Sequence, residues 1–372
     1  MGITATGLGT GLDVEGIVSS LVLADIQPAE QRLNANETKF QAQLSAYGSV
    51  KGALSVFQTA ANTVGTAANY QKKAASTSLF SDVEVSAKGG AAVGTYDIAV
   101  SALAGAHSLA SSAFTTTSDV VGTGTLSIEL GTTAYNSDTD VYTSFTPQTG
   151  TSAVAITIDS TNNTLAGVRD AINASTTAGV KASIVNDGAG YRLVLTSSST
   201  GADNSIALSV TDTGDSNNTD ASGLSRLSFN SSSTNLSQTK AASDAALTIN
   251  GLAVTSVSNE VTTAIDDVTL TLKKVTTAPV TVSVTEDTAA AKADIVSFVA
   301  AYNDVIGTLN QLTKYDATTA SGSLMTGDST IRTLASNIRG LVNAQVANVG
   351  GGYSSMAELG LTTVVTDGKL QI

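Results

Sequence analysis

The spacing of apolar residues changes twice along the chain, and this change constrains the fold more than any other feature. From about residue 29 to 68, apolar residues recur three or four positions apart, which predicts one long amphipathic helix. The residues of this stripe are Phe40, Leu44, Tyr47, Val50, Leu54, Phe57, Ala61 and Val64. Helical spacing returns near the other end of the chain in two further stripes. These consist of Ile295, Phe298, Tyr302, Val305, Leu309 and Leu312, and of Ile331, Leu334, Ile338 and Leu341.

The region between the helical ends alternates apolar and polar residues with period two, which predicts β-strands. Examples are "DVEVSA", "TYDIAVSAL", "TLSIEL", "AVAITID" and "YRLVLTS". Hairpins are predicted around Asp187 to Gly190 and at Asn250-Gly251, the second because Asn-Gly favours a tight two-residue turn. One short helix, "TLAGVRDAIN", interrupts the strands, with Thr164 as its N-cap. Its predicted inner face consists of Leu165, Val168 and Ile172.

The order of these segments predicts a helical domain that is discontinuous in sequence, because the amphipathic helices at the two ends can cover each other's apolar faces. The first and last strands of the intervening region are then expected to share a sheet. We predict an α+β multidomain fold, a discontinuous α-helical bundle (the leg) with inserted antiparallel β-rich domains. The predicted parts are an N-terminal arm, disordered or helical, at 1–38, a helical leg domain at 39–75 plus 287–372, an inner β domain at 76–106 plus 240–286, and an outer β-rich domain with one short helix at 107–239.

The N-terminal stretch "TGLGTGLDVEGIVSSLVLADIQPAEQRL" combines glycines with a short apolar stripe. We predict a helix capped by Thr10 or Asp13 and broken at Pro28, where the next helix begins. A helix this short is marginal alone in water, so either its own domain or another chain must cover its apolar face. A secretory signal requires a basic region before its apolar core, and no basic residue precedes this stripe, so a signal peptide is excluded. Acidic residues interrupt the apolar stretch, which excludes a membrane-spanning helix. The stripe consists of Ile17, Val18, Leu21 and Val22.

The charge and composition exclude several classes of function. The chain has 18 basic and 31 acidic side chains and a formal charge of -13, so nucleic acid and anionic membranes would repel it. It contains no cysteine, which excludes disulfides, thiolate metal sites and cysteine nucleophiles. Only 13% of its residues are charged, and Ser, Thr, Asn, Ala and Gly dominate, which is typical of a secreted, strand-rich surface protein.

No pattern in the chain indicates catalysis, a cofactor or a metal. The single histidine, His107 in "LAGAHSL", is expected to lie on the surface or in a turn. There is no G-x-S-x-G and no Walker loop. The acidic runs "NSDTDVY" and "DTGDSNNTD" fit no EF-hand loop, and exposed acidic turns explain them equally well. We therefore expect a protein that is not an enzyme and has neither a cofactor nor a metal.

Several motifs, taken in order, resemble those of the flagellar filament cap protein family, also called hook-associated protein 2 or FliD. They are "GLGTGLDVEGIVSSLV", "YGSVKGALSVFQ", "GTYDIAVSALAGAHSLAS", "TLAGVRDAINAS" with "VKASIVNDGAGYRLVLTSSSTGADN", "LTINGLAVTSVSNEVTTAIDDVTLTL", "IVSFVAAYNDVI" and "SLMTGDSTIRTL". The "TLAGVRDAIN" module alone is weak because flagellins carry a similar one. The combination is specific and covers most of the chain.

This resemblance implies a non-enzymatic cap at the distal end of the bacterial flagellar filament, where exported flagellin subunits fold and insert. It implies secretion through the flagellar export machinery with its chaperone, and a ring-shaped homo-oligomer, often a pentamer. It also implies a coiled-coil leg and a further helical segment beyond Ile372. The N-terminal stretch would be the docking arm, with five residues contacting the filament or a neighbouring subunit. These are Leu8, Leu12, Ile17, Val18 and Leu21.

Two other classes remain open from the sequence. An extracellular adhesin or carbohydrate-binding surface protein would share the Ser- and Thr-rich strands, and it would bind glycans without affecting filament growth. A flagellin or hook-filament junction protein would share the motifs, and a flagellin would polymerise into long filaments rather than close into a ring. A polysaccharide-degrading enzyme is a more distant alternative, which incubation with candidate glycans would test.

Overall fold

The computed structural model describes residues 13–136, 138–139, 141–345 and 353–372. The chain divides into two compact units. The first, which we call the helical unit, combines Met1–Tyr70 with Asp287–Ile372, and the second, the β unit, is Gln71–Glu286. The α+β class is confirmed, because a helical unit that is discontinuous in sequence is interrupted by an insertion built from antiparallel strands.

The secondary structure follows the predicted order, with helices near both ends and strands between them. The helices are α1 (Val14–Val64), α2 (Leu165–Ala174), α3 (Thr288–Thr313) and α4 (Ser329–Val342). The first ten strands are β1 (Lys73–Thr77), β2 (Val83–Ala87), β3 (Gly94–Ala102), β4 (Ser108–Ala110), β5 (Gly124–Asn136), β6 (Val141–Pro147), β7 (Val154–Ile158), β8 (Val180–Asn186), β9 (Tyr191–Ser197) and β10 (Ser205–Asp212). The remaining strands are β11 (Phe229–Asn230), β12 (Ser233–Thr234), β13 (Ser237–Lys240), β14 (Ala245–Ile249), β15 (Leu252–Ser256), β16 (Glu260–Ile265), β17 (Val268–Leu272), β18 (Val280–Glu286), β19 (Tyr315–Asp316), β20 (Ser321–Gly322), β21 (Thr362–Thr363) and β22 (Leu370–Gln371).

Helix α1 is longer than predicted because it passes through Pro28 without a break. Its N-cap is Asp13, whose Oδ1 accepts a hydrogen bond from the Gly16 N–H at 2.9 Å. The expected break at Pro28 is therefore wrong, and so is a separate second helix starting there. Proline removes one backbone donor, but α1 is solvent-exposed on both sides of Pro28, so water can reach the carbonyl that loses its partner. The alternative cap, Thr10, lies outside the described residues.

The core of the helical unit forms where α3 packs against the C-terminal part of α1. The Phe57 ring lies 5.4 Å from the Phe298 ring and 5.9 Å from the Tyr302 ring, centroid to centroid. Helix α4 adds Ile331 and Ile338 to this core. The other large contributors are Val50, Val305, Ile306 and Leu309.

Three residues of the predicted α1 core stripe, Phe40, Leu44 and Tyr47, do not belong to the core, and Tyr47 is 39% exposed. Phe40 is 67% exposed and Leu44 is 74% exposed, so their predicted packing on α3 is wrong. The reason is length, because α1 has 51 residues and spans about 76 Å, whereas α3 has 26 and spans about 39 Å. The first buried residue of α1 is Ala46. In α4, likewise, Leu341 was expected on the inner stripe but is 78% exposed.

The β unit begins and ends in one sheet, as the sequence predicted. Strands β1 and β18 pair antiparallel, from Lys73 opposite Glu286 to Thr77 opposite Val282. They belong to a five-stranded sheet of order β1-β18-β3-β14-β15, which shares a hydrophobic core with the three-stranded sheet β16-β17-β2. The largest fully buried residue of this core is Ile98.

A second core of the β unit lies between residues 109 and 236 and shares no residue with the first. It is formed by a sheet of order β12-β11-β10-β5-β6, in which β7 also pairs with β5, by the sheet β13-β4-β9-β8, and by α2. We propose that the two cores are the inner and outer β domains. Separate cores support this division, because each could fold around its own apolar residues.

Local predictions within the β unit are confirmed. Strands β8 and β9 form the hairpin around Asp187 to Gly190, and β14 and β15 form the hairpin at Asn250-Gly251. Both central residues of the second turn have positive φ, 50° and 81°, as the tight Asn-Gly turn requires. Thr164 caps α2 by accepting a hydrogen bond from the Gly167 N–H at 3.1 Å. The predicted inner face of α2, Leu165, Val168 and Ile172, is buried.

Candidate docking surface

The N-terminal half of α1 exposes an apolar surface that nothing in the described parts of the chain covers. Every residue from Ile17 to Gln41 is exposed. Three of the predicted contact residues lie here, and Ile17 is 45%, Val18 53% and Leu21 64% exposed. The other two, Leu8 and Leu12, lie outside the described residues.

The predicted contact residues share one side of the helix. At 100° per residue, Val14, Ile17, Val18 and Leu21 fall within an arc of about 100°. A shallow groove of about 450 Å³ runs beside Ile17 and Leu21. The side chains of this group therefore form a continuous apolar strip, which we call the first strip.

A second strip, which was not among the predicted contact residues, continues along α1 toward the core. Ile26, Leu33, Phe40, Tyr47 and Leu54 follow one another at intervals of seven residues. The first three are 44%, 68% and 67% exposed, whereas Leu54 packs against the helical-unit core. A seven-residue apolar repeat is the pattern of helices that pack along another helix. The repeat therefore continues past the packed part of α1 into its exposed half, and its sequence spacing could have revealed it.

The second strip borders a shallow, open depression on the surface of α1. Leu33, Phe40 and Leu44 line a depression of about 560 Å³, together with the polar residues Asn36, Glu37 and Gln41. Glu37 accepts a hydrogen bond from Gln41 Nε2 at 3.1 Å, one helical turn away. Polar residues thus flank an apolar face of α1, as in an amphipathic helix.

The end of the second strip is tied to the core by a polar contact. Tyr47 Oη donates a hydrogen bond to Asp328 Oδ2 at 2.8 Å, and Asp328 Oδ1 caps α4 by accepting from the Ile331 N–H at 3.0 Å. The bond from the Ile331 N–H is the main cause that lowers the pKa of Asp328, and the bond from Tyr47 adds to it. The same bond to Asp328 raises the pKa of Tyr47. Tyr47 therefore marks the boundary between the packed and the uncovered parts of α1.

The single histidine, His107, has a structural role. His107 is fully buried, which corrects the expectation of a surface histidine, because the sheets of the outer core close over it. Its Nδ1 accepts a hydrogen bond from the Ile206 N–H at 2.8 Å, so the neutral ring carries its proton on Nε2, which lies 2.9 Å from Gln238 Oε1. Burial lowers the pKa of His107. The ring therefore joins two parts of the β unit as a neutral group.

One acidic run has a structural explanation as well. The buried Asp212 carboxylate accepts hydrogen bonds from the backbone N–H groups of Gly214, Leu224 and Ser225, which fixes the loop that follows β10. Within the described ranges, no three residues of the His, Cys, Asp or Glu type come together in a way that could hold a metal ion. No helix in those ranges is both long enough and apolar enough to cross a membrane.

A discontinuous helical unit with an uncovered apolar helix face is typical of structural proteins that assemble with other chains. The candidate site is this face of α1. Comparison with known proteins agrees with this class. Residues 10–107 match the family described as flagellar hook-associated protein 2 N-terminus, and residues 242–372 match flagellar hook-associated protein 2 C-terminus. Residues 125–199 match the flagellin hook IN motif.

Individual relatives show the same similarity along the whole chain. The flagellar hook-associated protein 2 of Escherichia coli K12 is 36% identical over 381 residues, which cover 100% of this chain and 76% of the relative. The B-type flagellar hook-associated protein 2 of Pseudomonas aeruginosa is 34% identical, over 98% of this chain and 75% of the relative. A crystal structure of the Escherichia coli flagellar cap protein FliD superimposes with a TM-score of 0.69 and 33% identity, over 88% of this chain and 85% of that one. The chain belongs to the flagellar hook-associated protein 2 family.

Proposed function

We propose that this protein is the structural cap at the distal, extracellular end of a bacterial flagellar filament, where it promotes the folding and insertion of exported flagellin subunits. It acts without catalysis. Its partners are further copies of itself in a ring, flagellin, and the export machinery with its chaperone. The family membership supports the location and the role, and the flagellar cap title of the similar solved structure supports them further.

The uncovered half of α1 is the observation that carries the mechanism. A filament cap must hold its neighbours without fixing them permanently, because subunits are added beneath it. Burying a Leu, Ile or Val side chain contributes about 1.5 to 3 kcal/mol, while ordering each backbone residue costs about 1 to 2 kcal/mol. The two sums are comparable for Ile17, Val18, Leu21 and their neighbours. We propose that this half of α1 is stabilised only when it docks on flagellin or on a neighbouring subunit.

The choice of Leu21 and Leu23 gives a matched test of this proposal. Both are exposed leucines, at 64% and 66%, but Leu23 lies outside the arc of the first strip. Leu21→Ser should abolish or strongly reduce filament elongation in a strain that lacks its own cap protein, and unpolymerised flagellin should appear in the medium. Leu23→Ser should support filaments of normal length.

The readouts are filament length by electron microscopy and flagellin in the culture supernatant. Both variants should melt at the temperature of the unaltered protein, because neither side chain is buried in the isolated chain. Equal defects from both variants would show that the first strip is not the docking face. If both single variants form normal filaments, the combined Ile17→Ser, Val18→Ser and Leu21→Ser variant removes more of the first strip and should abolish elongation. Normal filaments from this combined variant would show that the first strip is not the docking face.

A further inference from the structure

The helical unit contains a group of cations that the docking surface does not use. Lys314 directly follows α3, and Arg332 and Arg339 project from α4. Lys314 and Arg332 are exposed and Arg339 is partly buried. Among the described residues, none of the three lies within 4.0 Å of a carboxylate oxygen. The three cations line two adjoining cavities in a chain whose net charge is -13.

Arg339 is the centre of this group, and its hydrogen-bonding capacity is largely unused. Its Nη2 donates one bond to Asn310 Oδ1, at 3.3 Å, and its buried Nε finds no acceptor. The backbone at Gly368, in the turn between β21 and β22, lies against the guanidinium. That turn is itself held by α3, because Tyr302 Oη donates to the Gly368 carbonyl at 3.1 Å. The side chain is therefore confined between two helices and a hairpin.

Two cavities share Asn310 and Arg339 in their linings. One, of about 630 Å³, is lined by Lys314, Asn310, Arg339 and the hairpin turn. The other, of about 320 Å³, is lined by Arg332, Asn310 and Arg339. One acidic residue, Asp367, lines the larger cavity, and its carboxylate faces Lys369 Nζ at 3.9 Å.

The charge of Arg332 helps to lower the pKa of Asp328, the N-cap of α4. Its oxygens already accept hydrogen bonds from the Ile331 N–H and from Tyr47. It lines neither cavity. The charged residues that line the two cavities, Lys314, Arg332, Arg339 and Asp367, therefore have a net positive charge.

We infer that Arg339, flanked by Lys314 and Arg332, binds the carboxylate of an Asp or Glu side chain presented by another polypeptide. The planar guanidinium offers several N–H donors in a geometry that matches two carboxylate oxygens. A charge confined in a partly buried site also gains more from a counter-charge than an exposed one does. Lys314 and Arg339 line one cavity and Arg332 and Arg339 line the other, so an acidic side chain of a docking protein complements the charge of both. This site is independent of the α1 strips.

The test uses the full chain labelled with ¹⁵N-arginine and follows the side-chain Nε–H signals by NMR. The probe is N-acetyl-L-glutamate amide, and its neutral match is N-acetyl-L-glutamine amide at the same ionic strength. The Arg339 signal, assigned from Arg339→Lys, should shift saturably with the glutamate probe alone. The Arg192 signal should not shift with the glutamate probe, because Arg192 Nε is already paired with Asp187 Oδ2 at 2.5 Å.

Variants then separate this site from a general charge effect. Lys314→Gln and Arg332→Gln should each weaken binding of the probe by roughly twofold to fivefold, the range expected for an exposed charge pair. Lys51→Gln removes an exposed cation of α1 that lines neither cavity, and binding should be unchanged. If Arg339→Lys fails to fold, as a melting curve would show, the Lys314→Gln and Arg332→Gln variants still decide the matter.

Three outcomes would overturn the inference. They are the absence of a saturable shift at Arg339, equal shifts with the glutamine probe or with sulfate, and equal losses in Lys51→Gln and the two site variants. None of these measurements involves filament assembly, so their failure would leave the proposed role of α1 standing.

Discussion

The two halves of α1 belong to one continuous helix but depend on different sources of stability. From Ala46 to Val64 the helix packs on α3, and Val50 and Phe57 belong to the hydrophobic core of the helical unit. From Ile17 to Gln41 every residue is exposed. An isolated helix is marginal in water, and most helical stability in proteins comes from packing of an apolar face. The comparison teaches that secondary structure alone does not indicate where a helix is stable.

Backbone hydrogen exchange should show the largest difference between the halves. Amides of residues 46 to 64 open with the helical unit, which protects them by its global stability of about 5 to 15 kcal/mol. Amides of residues 17 to 41 should exchange almost unprotected in the isolated chain. Exchange followed by mass spectrometry on peptides from each half would measure this. Strong protection of residues 17 to 41 in a verified monomer would contradict the proposed difference in stability between the two halves.

Matched phenylalanines give the next effect. Phe57→Ala removes ring contacts with Phe298 and Tyr302 and should lower the free energy of unfolding by about 3 kcal/mol. Phe40→Ala, at 67% exposure, should change it by less than about 0.5 kcal/mol. Denaturant unfolding of the two variants measures these changes in stability. Filament assembly is a second measurement, in which we expect Phe40→Ala to impair docking although it leaves the stability unchanged. Similar losses of stability in both variants would mean that the second strip is covered within the chain.

Mild acid should act on the β unit through His107, a residue type that the helical unit lacks. Burial lowers the pKa of His107, so its neutral form stabilises the folded β unit above the unfolded pKa of about 6.5. This contribution is lost as the pH falls from about 6.5 through the lowered folded pKa, because the protonated ring cannot accept the Ile206 N–H bond.

The measurement for His107 is the melting temperature of the β unit between pH 7 and pH 4. In His107→Gln the part of the pH dependence that comes from this ring should vanish. The helical unit contains no histidine, so its exchange pattern should be unaffected by this step. An unchanged pH dependence in His107→Gln would contradict the assigned role.

The smallest effect is expected at the boundary residue Tyr47. Tyr47→Phe removes the hydrogen bond to Asp328 but keeps the ring. Both groups are solvent-exposed, so the melting temperature should remain within experimental error, and the pKa of Asp328 should rise because one bond to its ionised form is lost. NMR titration of the Asp328 carboxyl would measure this rise. A pKa that does not move would show that the bond is absent in solution.

The features that could be predicted from the sequence are those that neighbouring residues determine. Thr164 and the apolar positions after it specify α2, and Asn250-Gly251 specifies a tight hairpin, because the turn chemistry lies within a few residues. The discontinuous helical unit could also be predicted, since it required only amphipathic helices at both ends.

The features that could not be predicted depend on distant parts of the chain. Whether Phe40 is buried is decided by where α3 ends, not by the stripe to which Phe40 belongs. Pro28 remains inside α1 because its surroundings are solvent, and His107 is buried because strands from both sides of the outer core meet around it. Of the candidate site, the sequence indicated Ile17, Val18 and Leu21, but the seven-residue repeat from Ile26 to Leu54 became meaningful only once the end of the α3 packing was known.

The pairing of Lys73 with Glu286 has a consequence for how such a chain can vary. These residues are opposite each other in the ladder of β1 and β18, so the two points where the insertion joins the helical unit lie about 5 Å apart. An insertion with adjacent ends acts as a module. It can be shortened, enlarged or exchanged for another without moving the helices that carry it, as long as the ladder is kept. Differences in length and sequence among proteins with this arrangement should therefore accumulate in the insertion, while the helical unit should stay similar.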